Sequence, residues 1–188
     1  MNNYCLDLSI PVPHPLADPS VLAWEKEDEP NIWWADKGNI SKEFTEFLDQ
    51  LDLTMTYPIL LFYTPAWQGI PAHIDGPDPQ SDRAVMNWCV GGHASEMLWY
   101  KLKDRIAPNV QETSAGTPYT QYTEDQIIFL HRQPVGWPSI VQTGIPHKIT
   151  NYGPDKRWVL SCDISLKSNP NAGLTWNQAK EIFKSWIV

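Results

Sequence analysis

With 188 residues, the chain is one domain by length and large enough to bury about 70% of its extended-chain surface around a single core. Its formal net charge of −8, with Lys and Arg nowhere clustered, argues against tight binding to the phosphate backbone of nucleic acid. The three cysteines, Cys5, Cys89 and Cys162, are too few and too scattered for a disulfide framework or a Cys-rich zinc site, and they point to a reducing, cytoplasmic setting.

The N-terminus has no basic stretch leading into an apolar run, and no segment of the chain reaches membrane-spanning length, so neither a signal peptide nor a membrane span is expected. Residues 1–39 are rich in Pro and carry an acidic run from Glu25 to Glu29 among Trp24, Trp33 and Trp34. They read as an irregular arm wrapping the core, with room for one strand. Ile40, Phe44, Phe47, Leu48 and Leu51 then recur at helical spacing behind Asn39 or Ser41 as N-cap. Tyr57 to Thr64 is an apolar run of strand length, continuous enough to be covered on both faces. Ala84 to Val90 and Glu96 to Leu102 are strand-like runs separated by Gly91 and Gly92, which reads as a hairpin. Gln111 to Tyr122 is polar and Thr-rich, a candidate edge strand.

Short strands follow at Ile127 to His131, Ser139 to Thr143, His147 to Thr150 and Arg157 to Asp163. Such a series predicts a sandwich, jelly roll or barrel. Thr175 and Gln178 form a capping box ahead of Ala179, Ile182, Phe183, Trp186 and Ile187, which predicts a C-terminal helix. No repeat or low-complexity linker interrupts the chain. It divides into an arm and supporting helix over 1–56, a β core over 57–163 and the C-terminal helix over 164–188. The ten Trp and 17 Pro read first as core fillers and loop punctuation of a β-rich fold.

Chemistry concentrates at His73-Ile74-Asp75. On a strand, period-2 geometry puts both ligand-type side chains on one face. Imidazole and carboxylate suit Fe(II), Zn(II) or Mn(II), and two His with one carboxylate and open coordination positions is the arrangement of non-haem Fe(II) oxygenases. The dyad alone is common by chance, so the third ligand decides. His147 opens one strand and Arg157 the next, with Asn151-Tyr-Gly-Pro-Asp155 as a turn between them. An antiparallel hairpin centred on Tyr152 would set Arg157 about 5 Å across from His147, with Ser161 on the same face. An inward Arg needs an anionic partner, and a ligand carboxylate would supply one through a bidentate fork. His131, at the end of its strand, competes for the third position but has no inward Arg beside it. His14 and His93 sit in Pro- or Gly-rich loop contexts, and Cys89 and Cys162, inside strands, read as buried small hydrophobes.

His73-x-Asp75, then His147 and Arg157, in this order among short strands from about Tyr57 to Asp163, resembles the Fe(II)/2-oxoglutarate-dependent oxygenases. The resemblance implies a double-stranded β-helix, a cupin-like jelly roll with a few flanking helices. It implies that His73, Asp75 and His147 hold Fe(II), and that Arg157, with Ser161 as helper, binds 2-oxoglutarate. Strand alternation adds Tyr63 and Asn87 as inward polar groups near the co-substrate or substrate, and Trp67, Trp88, Trp99 and Trp137 as candidate pocket walls. The implied reaction consumes O2 and 2-oxoglutarate, releases succinate and CO2, and hydroxylates a small molecule or a peptide or protein side chain. Asp75 as ligand favours hydroxylation over halogenation. Two rivals remain: a cupin-type metalloenzyme that does not use 2-oxoglutarate, and a non-catalytic jelly-roll binding protein that recognises its ligand through a Trp-rich face.

Overall fold

A computed structural model describes residues 4–22, 31–56, 60–64, 71–76, 82–92, 94–104, 106–136 and 138–188, with the backbone alone at 31, 33 and 60–64. In chain order the strands are β1 (Cys5–Asp7), β2 (Asn31–Trp34), β3 (Leu53–Met55), β4 (Leu60–Thr64), β5 (His73–Asp75), β6 (Ala84–Gly91), β7 (Ser95–Leu102), β8 (Val110–Glu112), β9 (Pro118–Gln121), β10 (Ile127–Pro134), β11 (Ser139–Gln142), β12 (His147–Asn151), β13 (Arg157–Cys162) and β14 (Ile164–Leu166). Helix α1 (Lys42–Gln50) precedes β3, and α2 (Trp176–Phe183) follows β14.

The strands build two antiparallel six-stranded sheets, β1-β11-β6-β13-β4-β2 and β10-β7-β12-β5-β9-β8, with β14 and β3 forming a separate pair. From β4 to β7 and again from β10 to β13, each strand lies in the opposite sheet from the one before it. The hydrogen-bonded partners are therefore distant in sequence: β4 with β13, β6 with β11 and β5 with β12, closed by β7 with β10. A ribbon of antiparallel pairs wound between two sheets is the double-stranded β-helix, a jelly roll that is mainly β.

This winding corrects two local expectations. β12 pairs with β5 and β7 while β13 pairs with β4 and β6, so His147 and Arg157 do not face each other across a hairpin. They sit on opposite walls of the barrel. β6 and β7 likewise do not pair, and the glycines between them carry the chain from one sheet to the other. A turn after a strand constrains where the chain leaves, not which partner the next strand finds; here the long-range ladders decide. The arm contributes an edge strand on each side of the first sheet, β1 on β11 and β2 on β4. The polar stretch Gln111 to Tyr122 holds β8 and β9, which pair with each other.

The main core lies outside the barrel, between the first sheet and the helices. Met86, Trp88, Trp158, Leu160 and Cys162 from the sheet pack with Phe44, Phe47 and Leu48 of α1 and Trp176, Ala179 and Phe183 of α2. Ser41 caps α1 by accepting from the Phe44 N–H at 3.1 Å, and the Thr175–Gln178 capping box opens α2. Phe44 meets Trp88 edge-on at 5.1 Å. Trp88 is therefore a core side chain and not a pocket wall. A second cluster, Cys5, Val85, Met97, Trp99, Val135, Val141 and Ile149, fills part of the space between the sheets. Trp99 is fully buried there and donates its Nε1–H to the Gln142 carbonyl at 3.1 Å. Trp67 and Trp137, with Glu25 to Glu29 and His93, lie outside the described residues. No helix among the described residues is long and apolar enough to cross a membrane.

Gly92 marks where β6 gives way to β7. Its φ is +58°, and a Cβ there would lie 2.5 Å from Ser95 Oγ and 2.7 Å from Arg157 Cβ. Gly92→Ala is expected to cost about 1–3 kcal/mol from the left-handed backbone alone, with more from the contact with Arg157. Urea unfolding of the variant measures it, and an unchanged midpoint would show that the turn relaxes freely.

Candidate metal centre

β5 and β12 are neighbours in the second sheet, and their register sets His147 directly opposite His73. Asp75 follows on the same face of β5, while Ile74 turns the other way into a small cluster with Ala72, Tyr122 and Ile127. The two imidazole rings lie 4.5 Å apart between centroids, tilted by 54°. Nε2 of His73 is 3.7 Å and Nε2 of His147 3.8 Å from the same Asp75 oxygen, Oδ1. These separations are too long for hydrogen bonds. One ligand atom from each residue lies within 4.8 Å of the others, so the three could hold a metal ion.

The backbone aims both rings. His73 Nδ1 is 2.8 Å from the Pro71 carbonyl and His147 Nδ1 is 2.9 Å from the Ile145 carbonyl. A carbonyl only accepts, so each ring carries its proton on Nδ1 and presents an Nε2 lone pair to the centre. Burial pushes His147 down to about 4, and neighbouring His73 pushes the same way against the attraction of Asp75. Burial works to raise Asp75, but His147, His73 and Arg83 together outweigh it and hold the carboxyl below its ordinary range. The donor set is thus a neutral His147 imidazole and an ionised carboxylate beside His73, the charge state a divalent ion needs. Access is uneven: the His147 side chain is 3% exposed and that of Asp75 33%.

Between the sheets, Arg157 is 1% exposed. Its Nη2 donates to Cys89 Sγ at 3.1 Å, while Nε and Nη1 find no partner among the described residues. On the same sheet Asn87, also buried, stands in register between Ser139 and Ser161. The Asn87 Oδ1 atom is likewise buried with no partner among the described residues, and Ser139 lies against the Cys5 thiol. Tyr63 stands in register with Trp158, and its side chain lies outside the described residues.

His131 falls on β10, separated from β12 by β7, and its ring packs against Tyr4 and Trp99 at 5.7 and 6.0 Å. It is not among the three clustered ligands. His14 accepts from the Leu16 N–H at 3.1 Å and shapes a turn. Two nearby residues carry no expectation from the sequence, and a third, Cys89, departs from the buried small hydrophobe expected of it. Tyr119 of β9 is in register with Asp75 and sets its ring edge-on to His73 at 5.8 Å. Arg83 reaches Asp163 through Nε at 3.2 Å, and through Nη2 as well. Cys89 is only half-buried, unlike fully buried Cys162. Its signal was present, since period-2 alternation puts it on the inward face with Asn87. Tyr119 and Arg83 carry no local signal, because tertiary structure sets them beside Asp75, Tyr119 through the β5–β9 ladder of the second sheet.

No family model matches the chain, and no curated protein is similar to it. Solved structures similar to it in shape include Escherichia coli ycfD, described as a ribosomal oxygenase, at 11% identity over 84% of this chain and 48% of that one, with a TM-score of 0.40. A cupin superfamily protein from Desulfitobacterium hafniense matches at 15% identity over 85% and 94% of the two chains, with a TM-score of 0.34. The DMSP lyase DddQ from Ruegeria pomeroyi matches at 12% identity over 80% and 59%, with a TM-score of 0.32. The chain thus spans about half the length of ycfD. These are distant likenesses, and the site is read from this chain's own residues.

His147 titrates near 6.5 when unfolded and about 4 in the fold, so between those values the unfolded chain takes up a proton that the folded chain refuses. The stability of metal-free protein is therefore expected to fall as pH drops through that window, by on the order of 3 kcal/mol from this residue. Asp7, raised by burial, works in the opposite sense. The difference between wild type and His147→Gln in chelator-treated urea titrations isolates the His147 share, and parallel pH profiles would refute it. For the metal itself, His147→Ala should abolish Co(II) binding followed by visible absorption, and His131→Ala should leave it intact. The reverse pattern would move the third ligand to β10.

Proposed function

We propose that the protein is an Fe(II)- and 2-oxoglutarate-dependent dioxygenase that hydroxylates a small molecule or a peptide or protein side chain. The observation that carries this reading is the buried Arg157 guanidinium, which has two donor nitrogens without partners among the described residues and lies in the same barrel as a two-His, one-carboxylate cluster. A buried cation left unpaired costs several kcal/mol. A ligand carboxylate seated on the guanidinium fork removes that cost, with the two-bond geometry that makes Arg selective for carboxylates.

When bound, Fe(II) with 2-oxoglutarate and O2 supplies the oxidising chemistry, in which the co-substrate leaves as succinate and CO2 and one oxygen atom enters a substrate C–H bond. The chain's residues bind and orient. His73 and His147 offer Nε2 donors fixed by the Pro71 and Ile145 carbonyls, and Asp75 supplies the negative charge. Together these three residues would hold the ion and leave it open to the 2-oxo acid and to dioxygen. Arg157 anchors the distal carboxylate, and Asn87 and Ser161 are the nearby polar groups on its sheet. Met97, Trp99, Val141 and Ile149 exclude water from one side of the space between the sheets. Substrate approaches from the side of Asp75, the exposed member of the cluster, past Tyr119. The three free cysteines fit a reducing, cytoplasmic setting.

Anaerobic Fe(II)-loaded protein is expected to develop a weak visible charge-transfer band on adding 2-oxoglutarate, and to form succinate slowly in air without substrate. Absence of both overturns the reading, and metal binding without either favours a cupin metalloenzyme of another kind. Arg157→Ala should weaken 2-oxoglutarate binding by 2 kcal/mol or more, roughly thirtyfold or beyond, with Fe(II) affinity within about threefold of wild type. Equal loss of both would assign Arg157 to the fold and not to the co-substrate.

A further inference from the structure

The Arg157 fork already has one occupant. Nη2 donates to Cys89 Sγ at 3.1 Å, and the rest of the guanidinium, in a side chain 1% exposed, finds no partner among the described residues. Sulfur is a weak acceptor for a cation. Of the three thiols, Cys5 and Cys162 are 1% and 2% exposed. Burial pushes Cys5 up to about 12 and Cys162 well above the ordinary thiol range, so both stay protonated and inert. Cys89 alone is half-buried, reachable by a small oxidant, and in contact with a positive charge.

We propose that Cys89 is an oxidation site, and that its sulfinate form occupies the Arg157 fork and shuts the protein to its carboxylate ligand. The sulfur, having given its proton to solvent, attacks one oxygen of hydrogen peroxide. The O–O bond breaks, sulfur loses two electrons and becomes a sulfenic acid, and the other oxygen leaves as hydroxide and is protonated to water. A second peroxide oxidises the sulfenic to the sulfinic acid with release of a second water, and the acid proton passes to solvent. Before the attack the Arg157 guanidinium holds the sulfur at its fork, with Nη2 3.1 Å from Sγ. Afterwards the sulfinate oxygens offer the guanidinium the charge-assisted hydrogen bonds it lacks. An internal anion tethered to β6 competes at high effective concentration with a free one, so the ligand is shut out while His73, Asp75 and His147 are untouched. The identity of the excluded ligand rests on the function proposed above. The oxidation and its dependence on Arg157 do not.

The test treats Mn(II)-loaded wild type, Cys89→Ser and Arg157→Gln with hydrogen peroxide, maps oxidised peptides by mass spectrometry, and measures Mn(II) and 2-oxoglutarate binding by calorimetry. Wild type should gain two oxygens at Cys89 before Cys5 or Cys162 reacts. Its 2-oxoglutarate affinity should then fall by about tenfold or more, with Mn(II) affinity unchanged. Cys89→Ser should show the same 2-oxoglutarate affinity before and after peroxide, and Arg157→Gln should slow oxidation at residue 89 by roughly tenfold. Earlier oxidation at Cys5 or Cys162, a Cys5–Cys89 disulfide in place of the sulfinate, oxidation indifferent to Arg157, or oxidised wild type that binds 2-oxoglutarate as before would each overturn the proposal. If untreated protein fails to bind 2-oxoglutarate while Cys89 still oxidises in an Arg157-dependent way, the co-substrate reading falls and the modification site stands.

Discussion

The register of β12 against β5 is the constraint on which the candidate centre depends. It sets His147 opposite His73, and the one-residue gap within His73-x-Asp75 brings the carboxylate to the same face. A one-residue slip of either strand would send its ligands to the other face of the sheet. β12 is held on both sides, by β5 along one edge and by a five-residue ladder to β7 along the other. The longer ladder carries the register that the short strand β5 could not maintain alone.

A division of labour between the two faces of the first sheet follows. Its outer face buries aromatic and aliphatic side chains against α1 and α2, and that is where the hydrophobic stabilisation concentrates. Its inner face carries Arg157, Asn87, Ser139 and Ser161, and Arg157 and Asn87 have buried atoms without partners among the described residues. Such a lining costs stability and gives none back until a polar ligand is bound. A core placed outside the barrel leaves the inside free to be chemically specific.

The same lining sets the electrostatics of the barrel. The metal-type cluster is a balanced group of imidazoles and carboxylate, with Arg83 nearby and partly neutralised by Asp163. Arg157 is different, because among the described residues no carboxylate answers it and the Cys89 sulfur does. The proposed anion binding and the proposed thiol oxidation both centre on that one guanidinium.

Much of the local structure was legible in the chain. Helical spacing and the Ser41 and Thr175 caps specify α1 and α2, because capping and amphipathic packing are short-range. Alternation and Pro/Gly punctuation mark the short strands, and the residue types at His73, Asp75, His147 and Arg157 announce metal and anion chemistry before any fold is known. What only the tertiary structure decided is which strands pair. Local turn chemistry predicts hairpins between β6 and β7 and between β12 and β13, yet each pair splits between sheets. The places of Tyr119 and Arg83 beside Asp75 emerge only from the tertiary structure, whereas alternation along β6 already turns Cys89 to the face of Asn87. The physical reason is that a hydrogen-bonded ladder between distant strands is chosen by how all strands bury their inner and outer faces at once, a global condition that no window of sequence contains.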